Sequence, residues 1–280
     1  MTRHADRPLR RARRVFGLTP ALWARIIAPS LIGLLALGGW EWFVTARGIP
    51  AYILPGPVEI GRALVRDWAT LASSLWITLQ ITFAALFVAA TLGLLLAVLF
   101  AQSRVIELSL FPYAIMLQVT PVVAIAPLII IWVDDIRLAL LICAWIVAFF
   151  PILSNTTMGL NSADRNLLDL LRLYRASRWQ VLWRLRLPSA MPYFLAGLRI
   201  SGGLALIGAI VAEFVAGTGG RASGLAYRIL ESGYQLQIPR MFAALVLVSA
   251  AGVAIFLALS LISHLLLRSW HESAMPREED

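Results

Sequence analysis

LWITLQITFAALFVAATLGLLLAVLFA, residues 75–101, contains no charged side chain. As a helix it is long enough to cross the hydrocarbon core of a bilayer, which takes about 20 mostly apolar residues. Outward from this run, five more stretches of the same kind follow at 27–45, 110–133, 138–158, 192–216 and 242–267. The strictly apolar part of 138–158 stops near Leu153. Composition points the same way, with 60% hydrophobic and only 14% charged residues. The expected fold is an all-α polytopic membrane protein with six transmembrane helices.

All 24 basic residues are arginine, and their placement predicts the topology. Arg3, Arg7, Arg10, Arg11, Arg13, Arg14 and Arg25 precede the first span; Arg165, Arg172, Arg175, Arg178, Arg184 and Arg186 follow the fourth. Arginine beside a span is retained on the cytoplasmic side during insertion, and an even number of spans separates the two groups. The expected layout is a cytoplasmic arginine-rich arm at 1–25, a six-span domain at 26–268 with a cytoplasmic loop at about 161–190, and a cytoplasmic tail at 269–280. The turn at Arg104 falls inside, whereas 48–74, 217–240 and Asp134-Asp135 fall outside. Both termini are then cytoplasmic. The net charge of +9 is explained by this boundary placement, so the lipid bilayer and no nucleic acid is the expected partner. Arg13-Arg14-Val15-Phe16 has the look of a twin-arginine export signal, but five further spans follow it. The single cysteine, Cys143, excludes an intrachain disulfide and a cysteine-based metal site, and reads as packing.

Between the spans, prolines at 50, 55 and 57 interrupt the first external segment, and residues 58–68 then carry apolar side chains at helical spacing. An amphipathic helix along the outer interface is expected there. Trp40, Trp42, Trp68 and Trp76 fall near the outer span ends, where indole rings act as anchors. Span three contains Pro112, Pro121 and Pro127, each of which removes a backbone hydrogen bond. Backbone freed in lipid needs a partner, so this span is expected to face protein or a water-filled cavity. Gln118 and Thr120, beside Pro121, either supply that partner or line a solute path. In span five Gly197, Ser201, Gly202, Gly203 and Gly208 predict close helix packing. Glu213, an ionisable group at membrane depth, either contacts the solute path or ties down the following loop.

That loop, 217–224, is glycine-rich, but a phosphate-binding Walker loop needs a lysine followed by Ser or Thr, and the chain has no lysine. It reads as a flexible external turn, and the chain is not expected to be its own ATPase. The three histidines, His4, His264 and His271, form no metalloprotease or hydrolase constellation, and no catalytic or metal site is expected.

The cytoplasmic loop is the most informative polar segment. From Asp164 to Tyr174 helix formers carry leucine at 167, 168, 170, 171 and 173, which predicts a short helix with a broad apolar side. Ser177 with Gln180 three residues on is a capping-box pattern that starts a second helix, and Pro188 is expected to end it. Exposed helices bearing Leu, Tyr and Trp need a surface, either the chain's own span ends or a soluble partner, with Arg172, Arg175 and Arg178 as the polar surround.

Asp169-Leu170-Leu171, then Arg175, Leu185, Leu187 and Pro188, resemble in spacing the signature loop of binding-protein-dependent ABC importer permeases. That loop reads Glu-Ala-Ala, three residues, Gly, nine residues, Ile, any residue, Leu-Pro. Residues 176–180, 187–193 and 197–200 are similar to the branch importing nitrate, alkanesulfonates, taurine and related small molecules, as are 118–127 and 211–213. The resemblance implies a type I importer fold in the cell inner membrane. It implies a homodimer of permease chains, two ATP-binding subunits that hold ATP and Mg, and an external or periplasmic solute-binding protein; no cofactor is expected on this chain. Asp169, Leu170, Leu171, Ala176, Ser177 and the 185–188 stretch would form the coupling helix that enters a groove on the ATPase. Arg175 stands where the family has glycine, so either the turn differs or the ATPase offers Arg175 an acidic pocket. The rival expectation, a secondary transporter or channel working without an ATPase, needs ion-coupling carboxylates, for which the sequence offers only Glu213 and Glu41.

Overall fold

The computed structural model describes residues 20–217 and 223–268, with side chains from Ile27 onward. The arm up to Thr19, the centre of the glycine-rich loop at 218–222 and the tail from Ser269 lie outside the described residues. Every regular element among them is helical: α1 (Pro20–Ala46), α2 (Pro57–Arg66), α3 (Trp68–Gln102), α4 (Arg104–Val119), α5 (Val122–Trp132), α6 (Ile136–Asn161), α7 (Arg165–Leu173), α8 (Arg178–Val181), a π turn (Leu182–Arg186), α9 (Leu187–Ala216), α10 (Leu225–Tyr234) and α11 (Ile238–Leu267). Five helical stretches, in α1, α3, α6, the run Arg178–Ala216 and α11, are long and apolar enough to cross a bilayer, and α4 with α5 forms a sixth, bent by 100°.

The core is the α3–α6–α9 junction, where Leu86, Phe100, Ile152, Leu153, Leu182 and Ala205 form one buried cluster. A neighbouring cluster joins Cys143, Ala144 and Ala209 to Val122 and Ala126 of α5, so Cys143 packs as expected. Apolar surface gains little by leaving lipid, and close backbone approach has to hold these helices instead. A Cβ on Gly208 would come within 2.9 Å of the Ala144 Cα, and one on Gly197 within 2.8 Å of the Pro151 carbonyl oxygen. The Ser201 hydroxyl donates to the Ala148 carbonyl at 2.6 Å on the same seam. Gly202 turns instead toward Ile255 and Leu259 of α11, while a Cβ on Gly203 would meet open space.

Span three does not remain one helix. Pro112 and Pro127 are tolerated inside α4 and α5, and the chain breaks only at Thr120-Pro121. Pro121 has no N–H for the Leu117 carbonyl, and both the backbone N–H and the hydroxyl of Thr120 donate to the Met116 carbonyl, at 3.0 and 2.6 Å. Thr120 thus closes the end of α4, and Pro121 opens α5 by accepting from the Ala124 N–H at 2.9 Å.

Pro188 does not end the loop's second helix, contrary to expectation. From Arg178 to Ala216 the chain is continuously helical, with Pro188 in the first turn of α9. The widened π turn immediately before it relaxes the clash its ring would make with the preceding turn, which is how a helix passes through a proline.

The amphipathic helix expected at 58–68 forms as α2, but it is not free on the interface. Its Ile60 and Ala63 are buried with Leu225 and Ile229 of α10 and Ala243 and Leu247 of α11. Helix α10 itself lies in the external segment 217–240, just after the glycine-rich turn, where no helix was foreseen. Of the tryptophans, Trp42, Trp68 and Trp76 are exposed, and Trp40 packs on Phe242 with ring centroids 6.1 Å apart. Along α1 the side chains of Leu31, Ile32, Leu34 and Leu35 are exposed.

Candidate functional site

The loop between α6 and α9 is built by three local devices. Asp164 accepts from the Asn166 N–H at 2.7 Å and starts α7. At its far end the Ala176 N–H reaches the Leu171 carbonyl and the Arg175 N–H the Arg172 carbonyl, both at 2.9 Å. This is a Schellman stop, and it requires a left-handed residue at Arg175. Arg175 supplies it with φ of +53°, a conformation costing an L-residue about 1–2 kcal/mol. A left-handed turn of the kind glycine makes without strain is therefore present here with arginine in it. The capping box then forms as expected: the Ser177 N–H donates to Gln180 Oε1 at 2.7 Å and the Gln180 N–H to Ser177 Oγ at 3.3 Å.

The loop's apolar side chains divide between two surfaces. Leu182 and Leu185 are buried, Leu182 in the core cluster, and Leu187 packs against that cluster. By contrast Leu173 is 82% exposed, Tyr174 77%, Trp179 63% and Leu170 46%. Asp169 and Arg172 form an exposed ion pair at 2.9 Å, of little stabilising weight. Asp169, Leu170, Arg175 and Ser177 thus lie on an open face, with Leu171 and Ala176 half-buried at its edge. Leu185, Leu187 and Pro188 lie where the π turn meets α9, with Leu185 buried and Leu187 and Pro188 half-buried.

The remaining predicted residues fall elsewhere. Gln118, Thr120 and Pro121 stand together at the α4–α5 break, with Gln118 exposed and Thr120 half-buried. Glu213 is only 3% exposed and sits at the opposite end of the bundle from the loop. Its Oε1 accepts from the Thr78 hydroxyl at 2.8 Å and its Oε2 from the Ala226 N–H at 3.1 Å. Thr78 in turn accepts from the Leu225 N–H at 2.9 Å. A carboxylate and a hydroxyl from two spans thus occupy the open N-terminus of α10, whose N–H groups and dipole favour negative charge. Of the two roles foreseen for Glu213, this geometry is the fastening of the following segment. The cap residue is Gly224, where any Cβ would collide with the Glu213 carboxylate.

Glu41 repeats the device on α2. Its carboxylate accepts from the Val58 N–H at 3.1 Å, and the cap residue is again glycine, Gly56, whose Cβ would come within 2.5 Å of Glu41 Oε2. Sequence reasoning missed Thr78, Gly224 and Gly56. One signal was present: Ser74, Thr78 and Thr82 recur at helical spacing on one face of an apolar span, and all three are buried. On that face Ser74 accepts from Arg228 Nε at 3.0 Å, and Arg228 pairs with Glu231 at 2.9 Å.

A bundle of apolar helices, one of them broken, with an exposed capped helix–turn–helix at one end, is the architecture of a multi-pass membrane protein. Residues 89–271 match the family described as binding-protein-dependent transport system inner membrane component. The chain belongs to that family, the permease subunits of ABC importers for small solutes. It is 34% identical to the riboflavin transport system permease protein of Chloroflexus aurantiacus, over 93% of this chain and 96% of that one. It is 32% identical to the formylaminopyrimidine transport permease protein of Halalkalibacterium halodurans, over 86% and 95%. A putative aliphatic sulfonates transport permease protein of Bacillus subtilis is 33% identical over 79% and 80%. Among solved structures, an amino acid ABC transporter crystallised with histidines matches with a TM-score of 0.59 at 19% identity, over 73% of this chain and 96% of that one; this likeness concerns the fold.

Proposed function

We propose that the chain is the inner-membrane permease of an ATP-driven importer, working as a homodimer with two ATPase subunits that hold ATP and Mg and with an external solute-binding protein. In this reading both termini and the α6–α9 loop are cytoplasmic, and the open face of the loop enters the ATPase. The observation that carries it is the Schellman turn at Arg175 joined to the Ser177 capping box, which holds Leu170, Leu173, Tyr174 and Trp179 exposed in a fixed geometry. Rigid, solvated apolar side chains ringed by arginine suit a protein partner. Closure of the ATPase pair would move the spans as rigid bodies and exchange inward for outward access. Asp169, Leu170, Leu171, Arg175, Ala176 and Ser177 are the proposed contact residues, with Leu185, Leu187 and Pro188 as the proposed coupling residues behind them.

The rival without an ATPase needs a carboxylate free to bind a coupling ion. Glu213 and Glu41 are both engaged at helix N-termini, which favours the ATP-driven reading. Gln118, Thr120 and Pro121 at the α4–α5 break are proposed to border the solute path. The exposed Gln118 offers a neutral amide, which suits an uncharged nitrogen heterocycle of the kind named for two relatives, formylaminopyrimidine and riboflavin, over the sulfonate and nitrate named for two others.

Co-expression with a candidate ATPase subunit tests the assembly. A complex that survives purification, with ATP-dependent uptake in proteoliposomes, is expected; absence of both would sink the proposal. Binding of a pyrimidine, a sulfonate and nitrate to the partner binding protein tests the solute class, and selection of nitrate or a sulfonate would overturn the heterocycle reading.

A further inference from the structure

We propose that the chain holds a phosphate-bearing anion, the headgroup of an anionic phospholipid, in a cavity between the α6–α9 loop and the end of α3. The cavity measures about 320 Å³, and Ala101, Gln102, Leu168, Arg172, Arg178 and Arg186 line it. Three guanidinium groups from separate turns of the loop converge there, and no carboxylate is among the lining residues. Arg186 is committed at one nitrogen, donating to the Ala101 carbonyl at 2.7 Å, while its Nε is buried without a partner. Among the described residues Arg178 makes no ion pair, and Arg172 shares its charge with exposed Asp169. Arg172 and Arg178 are exposed and Arg186 is half-buried, and cations gathered at one cavity repel one another unless an anion joins them. Planar guanidinium forks match the oxygens of a phosphate, which can accept from two or three of them at once.

The depth of the cavity selects the lipid. Ala101 and Gln102 are the last residues of span α3, so the cavity opens where a span leaves the hydrocarbon and meets headgroups. Basic pockets at that level recognise anionic headgroups. Leu173 and Tyr174, the most exposed residues of the loop, do not line it, whereas Ala176 borders both the cavity and the face proposed for the ATPase.

The test uses the full chain in detergent, titrated with phosphatidylglycerol or phosphatidylcholine and read by native mass spectrometry, with inorganic phosphate in a separate arm. The wild type should retain phosphatidylglycerol in preference to phosphatidylcholine, and Arg178→Gln and Arg186→Gln should each weaken it about tenfold, the effect of losing one charge-assisted contact. Arg165→Gln, an exposed arginine outside the cavity, should change nothing. Because Arg186→Gln also releases the end of α3, Arg178→Gln and Gln102→Glu, which sets a carboxylate in the cavity, serve as second probes with the same expected loss. Displacement of the lipid by inorganic phosphate supports recognition of the phosphate itself, and phosphate binding as tightly as the lipid would identify a free anion as the occupant. Wild-type lipid binding by Arg178→Gln and Gln102→Glu would overturn the proposal. So would an equal loss in Arg165→Gln, which marks diffuse charge, or loss of only ATPase association in the cavity variants, which marks a protein carboxylate as the occupant.

Discussion

The two ends of the bundle treat their polar and apolar groups in opposite ways. At the α10 end, Glu213, Thr78, Ser74, Arg228 and Glu231 satisfy one another and the helix N-terminus within the chain. At the loop end, hydrogen bonds fix the backbone while leucine, tyrosine and tryptophan side chains are left in solvent. The first arrangement is finished within one copy of the chain; the second is rigid and incomplete. Stability and assembly should therefore separate by position, and substitutions at each end should fail in different assays.

The largest effect is expected at Gly224. In Gly224→Ala the new Cβ displaces a buried carboxylate that is bonded on both oxygens, costing about 3 kcal/mol by overpacking and lost hydrogen bonds. Gly56→Ala makes the same collision with Glu41, which is only half-buried and can swing into solvent, at a cost below about 1 kcal/mol. Denaturant unfolding of both variants in detergent measures the contrast, and equal costs would erase it. Thr78→Val comes next, at about 2 kcal/mol, because it orphans both the Leu225 N–H and one oxygen of Glu213; the same unfolding assay reads it.

At the other end, Leu173→Asp should leave unfolding within about 0.5 kcal/mol of wild type, since the side chain is exposed. It should weaken ATPase association about tenfold or more in a pull-down with the partner, as loss of a buried apolar anchor does. Arg175→Glu should likewise weaken ATPase association or uncouple hydrolysis from uptake, without unfolding the chain. A stability loss without an assembly loss would show the loop to be part of the fold alone. The smallest effect belongs to Arg175→Gly, which relieves the left-handed strain and should gain about 0.5 kcal/mol net of the freedom glycine adds to the unfolded chain.

Much of this was legible in the sequence because the bilayer imposes a coarse rule on it. Apolar length located the spans, and local chemistry located the loop's first helix and the Ser177 cap, since each depends on residues within a few positions. What escaped depends on partners far along the chain. The prolines of span three look alike in sequence, yet only Pro121 breaks the helix, where Thr120 closes the turn before it. Pro188 reads as a stop, and packing of Leu182 and Leu185 carries the helix through it. Glu213 stood out as costly, but its partners come from residues 78 and 226, and no spacing rule joins those to it. Gly-Pro at 56–57 does mark a helix start lacking its own side-chain cap, a hint that Glu41 has to complete it.

The unbroken run Arg178–Ala216 has a mechanical consequence. Its 39 residues amount to a strut of roughly 58 Å at 1.5 Å per residue. Ser177 caps one tip, and Glu213 clasps α10 near the other. In the proposed assembly a push on the loop would reach the far side of the bundle as displacement of a single shaft, with the π turn and the turn at Pro192 as its compliant sections, and α10 would be levered by whatever grips the loop.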